Sequence, residues 1–182
     1  MGRFSSAGGR LLVAQPTMLD PNFHRTVVFV IDHGAEGAFG VVLNRPTATP
    51  VVAVLAEYVS IVAEPEVFFD GGPVGPDNVV GLGPDPVSVG RLVDLGSLGD
   101  VLGGSPDDDH PVPTQLRLFA GYAGWAPHQL DVEVADGSWL VLDATAEDLF
   151  GPRPASLWET VLYRQGGPIS RIALYPEDVS LN

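Results

Sequence analysis

Apolar positions fall in short runs broken by polar, glycine and proline residues, and the spacing inside each run predicts an element. TVVFVID (26–32) and FGVVLNR (39–45) are rich in β-branched and aromatic residues. HGAEGA between them brings two glycines for turn conformations that other residues resist, so the three pieces predict a hairpin. Neither run alternates much with polar residues. That predicts strands covered on both faces and puts the hairpin at the centre of a sheet. LLVAQ before it predicts another strand, ended by Pro16. In PTATPVVAVLAEYVSIVAEPE, apolar residues at 51, 52, 55, 59 and 62 recur at helical spacing. With Thr49 as N-cap, Pro50 in the first helical position and Pro65 as the stop, this segment is expected to be a helix.

Downstream, EVFFDGGPVGPDNVVGLGP predicts two short strands around a glycine and proline corner, and VGRLVDLG a further one. SLGDVLGGSP predicts a short helix opening at Ser97 and closing at Gly103 and Gly104, followed by a solvated loop, PDDDHP. TQLRLFAGY and SWLVLDA are strands, AEDLF and PASLWETVLYRQ helices, and ISRIALY is expected as a last strand. HQLDVEVADG fits two periods: Leu130, Val132 and Val134 alternate as in a strand, while Leu130 and Val134 suit a helix begun at Pro127. Local pattern does not decide between them. Strands and helices interleave without a βαβ repeat, which makes the class α+β.

Composition narrows the rest. The 182 residues are 45% hydrophobic and 18% charged, the balance of one packed domain, expected over 9–182 behind a flexible N-terminus at 1–8. The opening MGRFSS fits a loose myristoylation pattern that a frayed terminus explains as well. The formal net charge is −14, and all 9 cations are arginine against 23 acidic residues. Binding nucleic acid by phosphate neutralisation needs clustered cations, so direct nucleic-acid contact is not expected. Without cysteine there is no disulfide, thiolate nucleophile or sulfur-ligated metal. No run is long enough for a membrane span or a signal-peptide core, and the expected location is cytoplasmic.

Motifs for chemistry are few. GLGPDP lacks the third glycine of a dinucleotide fingerprint, GGPVGPDN lacks the lysine and hydroxyl of a phosphate loop, and no serine stands at a lipase-type elbow. No cofactor is expected. His24, His33, His110 and His128 never fall at ligand spacing, and Asp107, Asp108 and Asp109 lack the pattern of a calcium loop, so no metal is expected either. The rims of the hairpin hold the candidates. Asp20, His24, Arg25 and His33 lie near strand ends, and Asn44 and Arg45 stand where the partner strand finishes. As a hydrolytic site, a carboxylate or histidine among Asp20, His24 and His33 would act with Arg25 or Arg45 steadying negative charge. Turn geometry accounts for the same residues without chemistry.

GYAGWAPHQL (121–130) is the other candidate. Gly121 and Gly124 allow backbone conformations closed to other residues, and a helix starting at Pro127 would present amides that bind a small anion, walled by Tyr122 and Trp125. Buried rings with glycines permitting close packing are the architectural alternative.

Taken in order, GRLLVAQPTMLDPNFHRTVVFVIDHGAEGAFGVVLNRP, VFFDGGPV, GYAGWAPHQLDVEVADGSW, LWETVL and ALYPEDVSLN resemble the YqgE/AlgH family of bacterial proteins over nearly the whole chain from about residue 9. The resemblance implies a bent mixed sheet closing toward a barrel and a helix after the tryptophan corner. It implies no established chemistry. Some relatives are described as transcriptional regulators, without a recognisable DNA-binding module. Relatives usually have glycine at the position of His128, so no catalytic role attaches to that residue. The function expected is a binding or regulatory module acting indirectly on a protein partner or small anion, with Arg25, His33, Asn44, Arg45, Tyr122, Gly124 and Trp125 as candidate ligand residues. A hydrolase-like enzyme is the alternative.

Overall fold

One strand, Arg117–Trp125, belongs to both halves of the sheet and sets its shape. The computed structural model describes residues 6–102 and 112–177. Among these, the strands are β1 (Arg10–Ala14), β2 (Val27–Gly34), β3 (Gly37–Val42), β4 (Pro46–Pro50), β5 (Val67–Asp70), β6 (Val74–Asp85), β7 (Val89–Val93), β8 (Arg117–Trp125) and β9 (Trp139–Asp143). The helices are α1 (Leu95–Leu102), α2 (Gln129–Ala135), α3 (Ala146–Phe150), α4 (Leu157–Gln165) and α5 (Gly167–Ser170). The strand order is β4-β5-β8-β3-β2-β1-β9, with β6 on the other edge of β8 and β7 beyond it. Pairing is antiparallel except between β5 and β8. This is the expected α+β class with a mixed sheet. The closure toward a barrel is not found: β4 and β9 end the path without pairing to each other.

β8 pairs with β5 through Phe119 and Ala120 and with β3 through Ala123 to Trp125. Gly121, at φ 73, makes the passage between the two, and the carbonyl of Gly72 lies 2.6 Å from where a Cβ would stand. Only glycine meets both the left-handed conformation and that approach.

The hairpin of β2 and β3 is central and covered on both faces, as its unbroken apolar runs require. Val27, Phe29 and Val41 pack with Phe69, Phe119, Leu149 and Trp158, under α3 and α4. Val28, Val30 and Val42 pack on the other side with Trp125, Leu130 and Trp139, under α2. A third cluster, Val51, Tyr58, Phe68, Leu98, Leu116 and Leu118, fills the space below α1. Full burial of each such aliphatic side chain contributes roughly 1.5–3 kcal/mol.

Two expected elements are replaced. In place of a helix across 49–65, the chain forms β4 and two single 3₁₀ turns, Val51–Ala53 and Ala56–Tyr58. Pro46 and Pro50 pair with Phe69 and Val67, and the Val51 amide donates to the Glu66 carbonyl at 2.9 Å. Strand pairing claims the residues that would have begun the helix, and the valines that follow are weak helix formers. In place of a last strand at 169–175 stand α5 and a 3₁₀ turn, Arg171–Leu174. Ile169, Ile172 and Ala173 reach the core at helical, not alternating, spacing.

α1 begins two residues before the expected Ser97, where Asp94 Oδ1 accepts from the Gly96 amide at 3.0 Å. Its expected closing glycines and the PDDDHP loop lie outside the described residues, as do residues 1–5. Ser6 and Ala7 are tied to His33: Ser6 Oγ donates to its carbonyl at 2.9 Å, and the Ala7 amide donates to its ring at 3.1 Å. The ambiguous segment after the corner is helical, as the resemblance implies. His128 precedes it at φ 63, a left-handed conformation that explains why glycine is the expected residue there. No helix among the described residues is long and apolar enough to cross a membrane.

Candidate functional site

The seven candidate residues separate by position in the sheet. Arg25 lies two residues before β2 and His33 next to its last residue, on the order of 25 Å apart at strand spacing. At the first end, Asn44 completes the ladder where β2 and β3 diverge: its Oδ1 accepts from the Val27 amide and its Nδ2 donates to the Arg25 carbonyl, both at 2.9 Å. Arg25 itself, at φ 53, lies 4.0 Å over the Trp158 ring and donates to Glu159 Oε1 at 2.6 Å and the Tyr175 carbonyl at 3.0 Å. Arg45 donates to the carbonyls of Asn22 and Pro21 at 2.8 and 2.9 Å. Both arginines fasten chain segments together.

The residues of the hydrolytic reading at this end are engaged in the same way. His24 places Nδ1 2.9 Å from the Met18 carbonyl and Nε2 3.2 Å from the Glu177 carbonyl, and Asp20 Oδ1 accepts from the Asn22 amide at 2.9 Å. His33 stands at the far end of the strand.

Along β8 the side chains alternate. Tyr122 and Gly124 face one side, where Tyr122 packs on Phe39 with ring centroids 4.7 Å apart. Ala123 and Trp125 face the other. Tyr122 and Trp125 therefore do not wall a common pocket. Trp125 is buried among Phe23 and Trp139, and both indole nitrogens, of Trp125 and Trp139, donate to Glu133 Oε2 at 2.9 Å. Gln129 Oε1 accepts from the Ala126 amide at 3.0 Å, and its Nε2 donates to Glu133 Oε1 at 2.9 Å. The corner is thus closed by its own side chains, with Asp131 and Glu133 on the short helix behind it.

The face carrying Trp125 holds a cavity. It measures ≈ 340 Å³ and is lined by Ala7, Arg10, His33, Leu130, Asp131 and Trp139, with Val134, Leu140 and Val141 completing the wall. β1, β2, β9 and α2 each contribute. His33 reaches it because His33 pairs with Ala38 and Ala38 with Trp125, a row across three strands that shares one face. The His33 side chain is 11% exposed. Its Nδ1 accepts from the Ala7 amide, which assigns the single proton of the neutral ring to Nε2, 3.6 Å from Asp131 Oδ1. His128 Nδ1 lies 3.7 Å from the other oxygen of the same carboxylate. Arg10 pairs with Asp143 at 3.1 Å. The chamber combines an apolar wall with a polar end, the composition of a small-molecule site.

A smaller depression of ≈ 110 Å³ near α3 and α4 is lined by Asp148 and Arg164, whose ion pair already matches its charge. Among the described residues no three His, Asp or Glu side chains converge to hold a metal ion.

Of the candidate residues His33 alone lines the cavity. Arg10, Leu130, Asp131 and Trp139 went unmarked in the sequence reading. For Asp131 the available signal was its place one residue after Leu130 at the start of a possible helix. Arg117 was missed as well. It is 2% exposed, donates through one terminal nitrogen to the carbonyls of Glu64 and Gly151 at 3.0 and 3.1 Å, and lies 4.4 Å over the Phe69 ring. Its Nε and other terminal nitrogen are buried without a partner among the described residues. Burial pushes its pKa down to about 10. An arginine between Leu116 and Leu118 on a strand was the clue to that burial.

Residues 11–170 match the family model described as DUF179, AlgH-like. A UPF0301 protein of Streptomyces coelicolor is 44% identical, covering 100% of this chain and 98% of that protein. One of Mycolicibacterium smegmatis is 39% identical, covering 96% and 90%. Among solved structures, a crystal structure of a Corynebacterium diphtheriae protein superposes with a TM-score of 0.79 at 32% identity, covering 95% and 94% of the two chains. The solution structure of the AlgH protein from Pseudomonas aeruginosa does so with a TM-score of 0.69 at 27% identity, covering 94% and 95%.

Proposed function

The chain belongs to the AlgH-like family, and from that premise we propose that it is a small-ligand-binding module of the cytoplasm whose site is the cavity between α2 and the β1, β2 and β9 strands. The cavity carries the reading: Leu130 and Trp139, almost wholly buried, form an apolar floor, and His33, Asp131 and Arg10 supply hydrogen-bonding groups at one end. Any regulatory effect is then indirect. The cavity borders α2, so an occupant would act on that helix, and a net charge of −14 opposes contact with a phosphate backbone.

Trp139 in the wall provides an intrinsic reporter. Titrating the protein with 1-hexanol, hexanoate and hexylamine is expected to shift tryptophan emission and raise the melting temperature for at least one of them. Val134→Phe, which fills the chamber from its half-buried rim, is expected to abolish the response while the protein stays folded. No response from the unaltered protein to any of the three at millimolar concentration would refute a ligand cavity here.

A further inference from the structure

We infer that the cavity selects a small amphipathic amine, with its ammonium on the Asp131 carboxylate and its apolar chain against Leu130, Val134 and Trp139. This rests on the ligand-binding reading above and adds the ligand's chemical class.

The charges at the polar end lead to it. Arg10 is the permanent cation of the lining, and it is already matched: its Nε and one terminal nitrogen lie 3.2 and 3.1 Å from Asp143 Oδ1. Among the described residues Asp131 has ion-pair partners only in histidines, His33 Nε2 at 3.6 Å on one oxygen and His128 Nδ1 at 3.7 Å on the other, and these carry charge only when protonated. The neutral His33 ring turns its one proton toward Asp131, so it supplies a dipole and no compensating charge. Asp143, outside the lining and 92% exposed at its side chain, holds Arg10, which leaves the Asp131 carboxylate, 41% exposed at its side chain, as the charge of the lining with no arginine partner among the described residues. A ligand carboxylate would meet repulsion there. An ammonium gains a charge-assisted hydrogen bond, the stronger kind.

The rest of the cavity fits the other end of such a molecule. Leu130 is 1% and Trp139 3% exposed, and Val134 and Val141 close the sides. A volume of ≈ 340 Å³ is at the small end of ligand chambers and suits a chain of a few carbons.

The test compares hexylamine, 1-hexanol and hexanoate on the full-length protein by tryptophan emission at pH 8. Hexylamine is expected to bind about tenfold more tightly than hexanoate. Asp131→Asn is expected to remove the preference of hexylamine over hexanol. Hexanoate binding as well as or better than hexylamine to the unaltered protein overturns the amine assignment, and that comparison needs no variant to fold. Equal binding of all three overturns the assignment while leaving the cavity a ligand site. No binding by any of them overturns both.

Discussion

Replacing Arg117 by methionine asks what a buried guanidinium contributes when no carboxylate accompanies it. Its side chain sits within the largest core cluster's surroundings, against Phe69, and only one nitrogen finds acceptors, the carbonyls of Glu64 and Gly151. Burial lowers its pKa to about 10, and the displacement from the ordinary guanidinium value corresponds to about 3 kcal/mol of cost to the folded state. Methionine removes that cost and keeps most of the volume. It also takes a donor from each of two carbonyls, about 1 kcal/mol apiece, and the contact over the Phe69 ring, about 1 kcal/mol more. The opposing contributions nearly cancel, so Arg117→Met is expected within about 1 kcal/mol of the unaltered protein. Arg117→Ala, which also leaves a void, is expected to be less stable than the methionine variant by about 2–3 kcal/mol. Urea unfolding at pH 7 with an unchanged m-value measures both. The pH dependence has a definite sign. Above about pH 10 the unfolded chain binds a proton that the folded Arg117 has released, so stability rises with pH relative to Arg117→Met up to the ordinary guanidinium range. A methionine variant destabilised by more than about 3 kcal/mol, or a flat difference across that window, would refute the account of a poorly compensated buried charge.

Glu133→Ala leaves the indole N–H groups of both Trp125 and Trp139 without an acceptor, and is expected to cost about 2–4 kcal/mol in thermal or urea unfolding, with a shift in tryptophan emission. Asn44→Ala strips the Val27 amide and the Arg25 carbonyl of their partner where β2 and β3 diverge; a loss of about 2–3 kcal/mol is expected, and faster amide exchange at Val27 would locate it. Gly121→Ala puts a Cβ 2.6 Å from the Gly72 carbonyl at φ 73 and should destabilise by more than about 2 kcal/mol; a neutral result in urea unfolding would show that β8 can make its passage another way.

The chain's own pattern determined the elements whose periodicity and burial agree. The β2 and β3 hairpin was legible because its apolar runs are buried on both faces, and the helix of α4 because its apolar spacing meets the core on one side. Where pattern and pairing compete, tertiary structure decided. The valine-rich segment after Thr49 has helical spacing, yet β5 pairs with Pro46 and Pro50 and turns that spacing into two short 3₁₀ turns. Rims of strands were legible as places where polar groups collect, but not what those groups face. Strand alternation sends Tyr122 and Trp125 to opposite sides, and most of the length of β2 separates Arg25 from His33. The cavity draws on β1, β2, α2 and β9, which are far apart in sequence, and His33 meets Asp131 across it. A local window records the spacing of neighbours along the chain. Which side chains share a chamber depends on strand order and on the face to which each register turns them, and both are set by burial summed over the whole sheet.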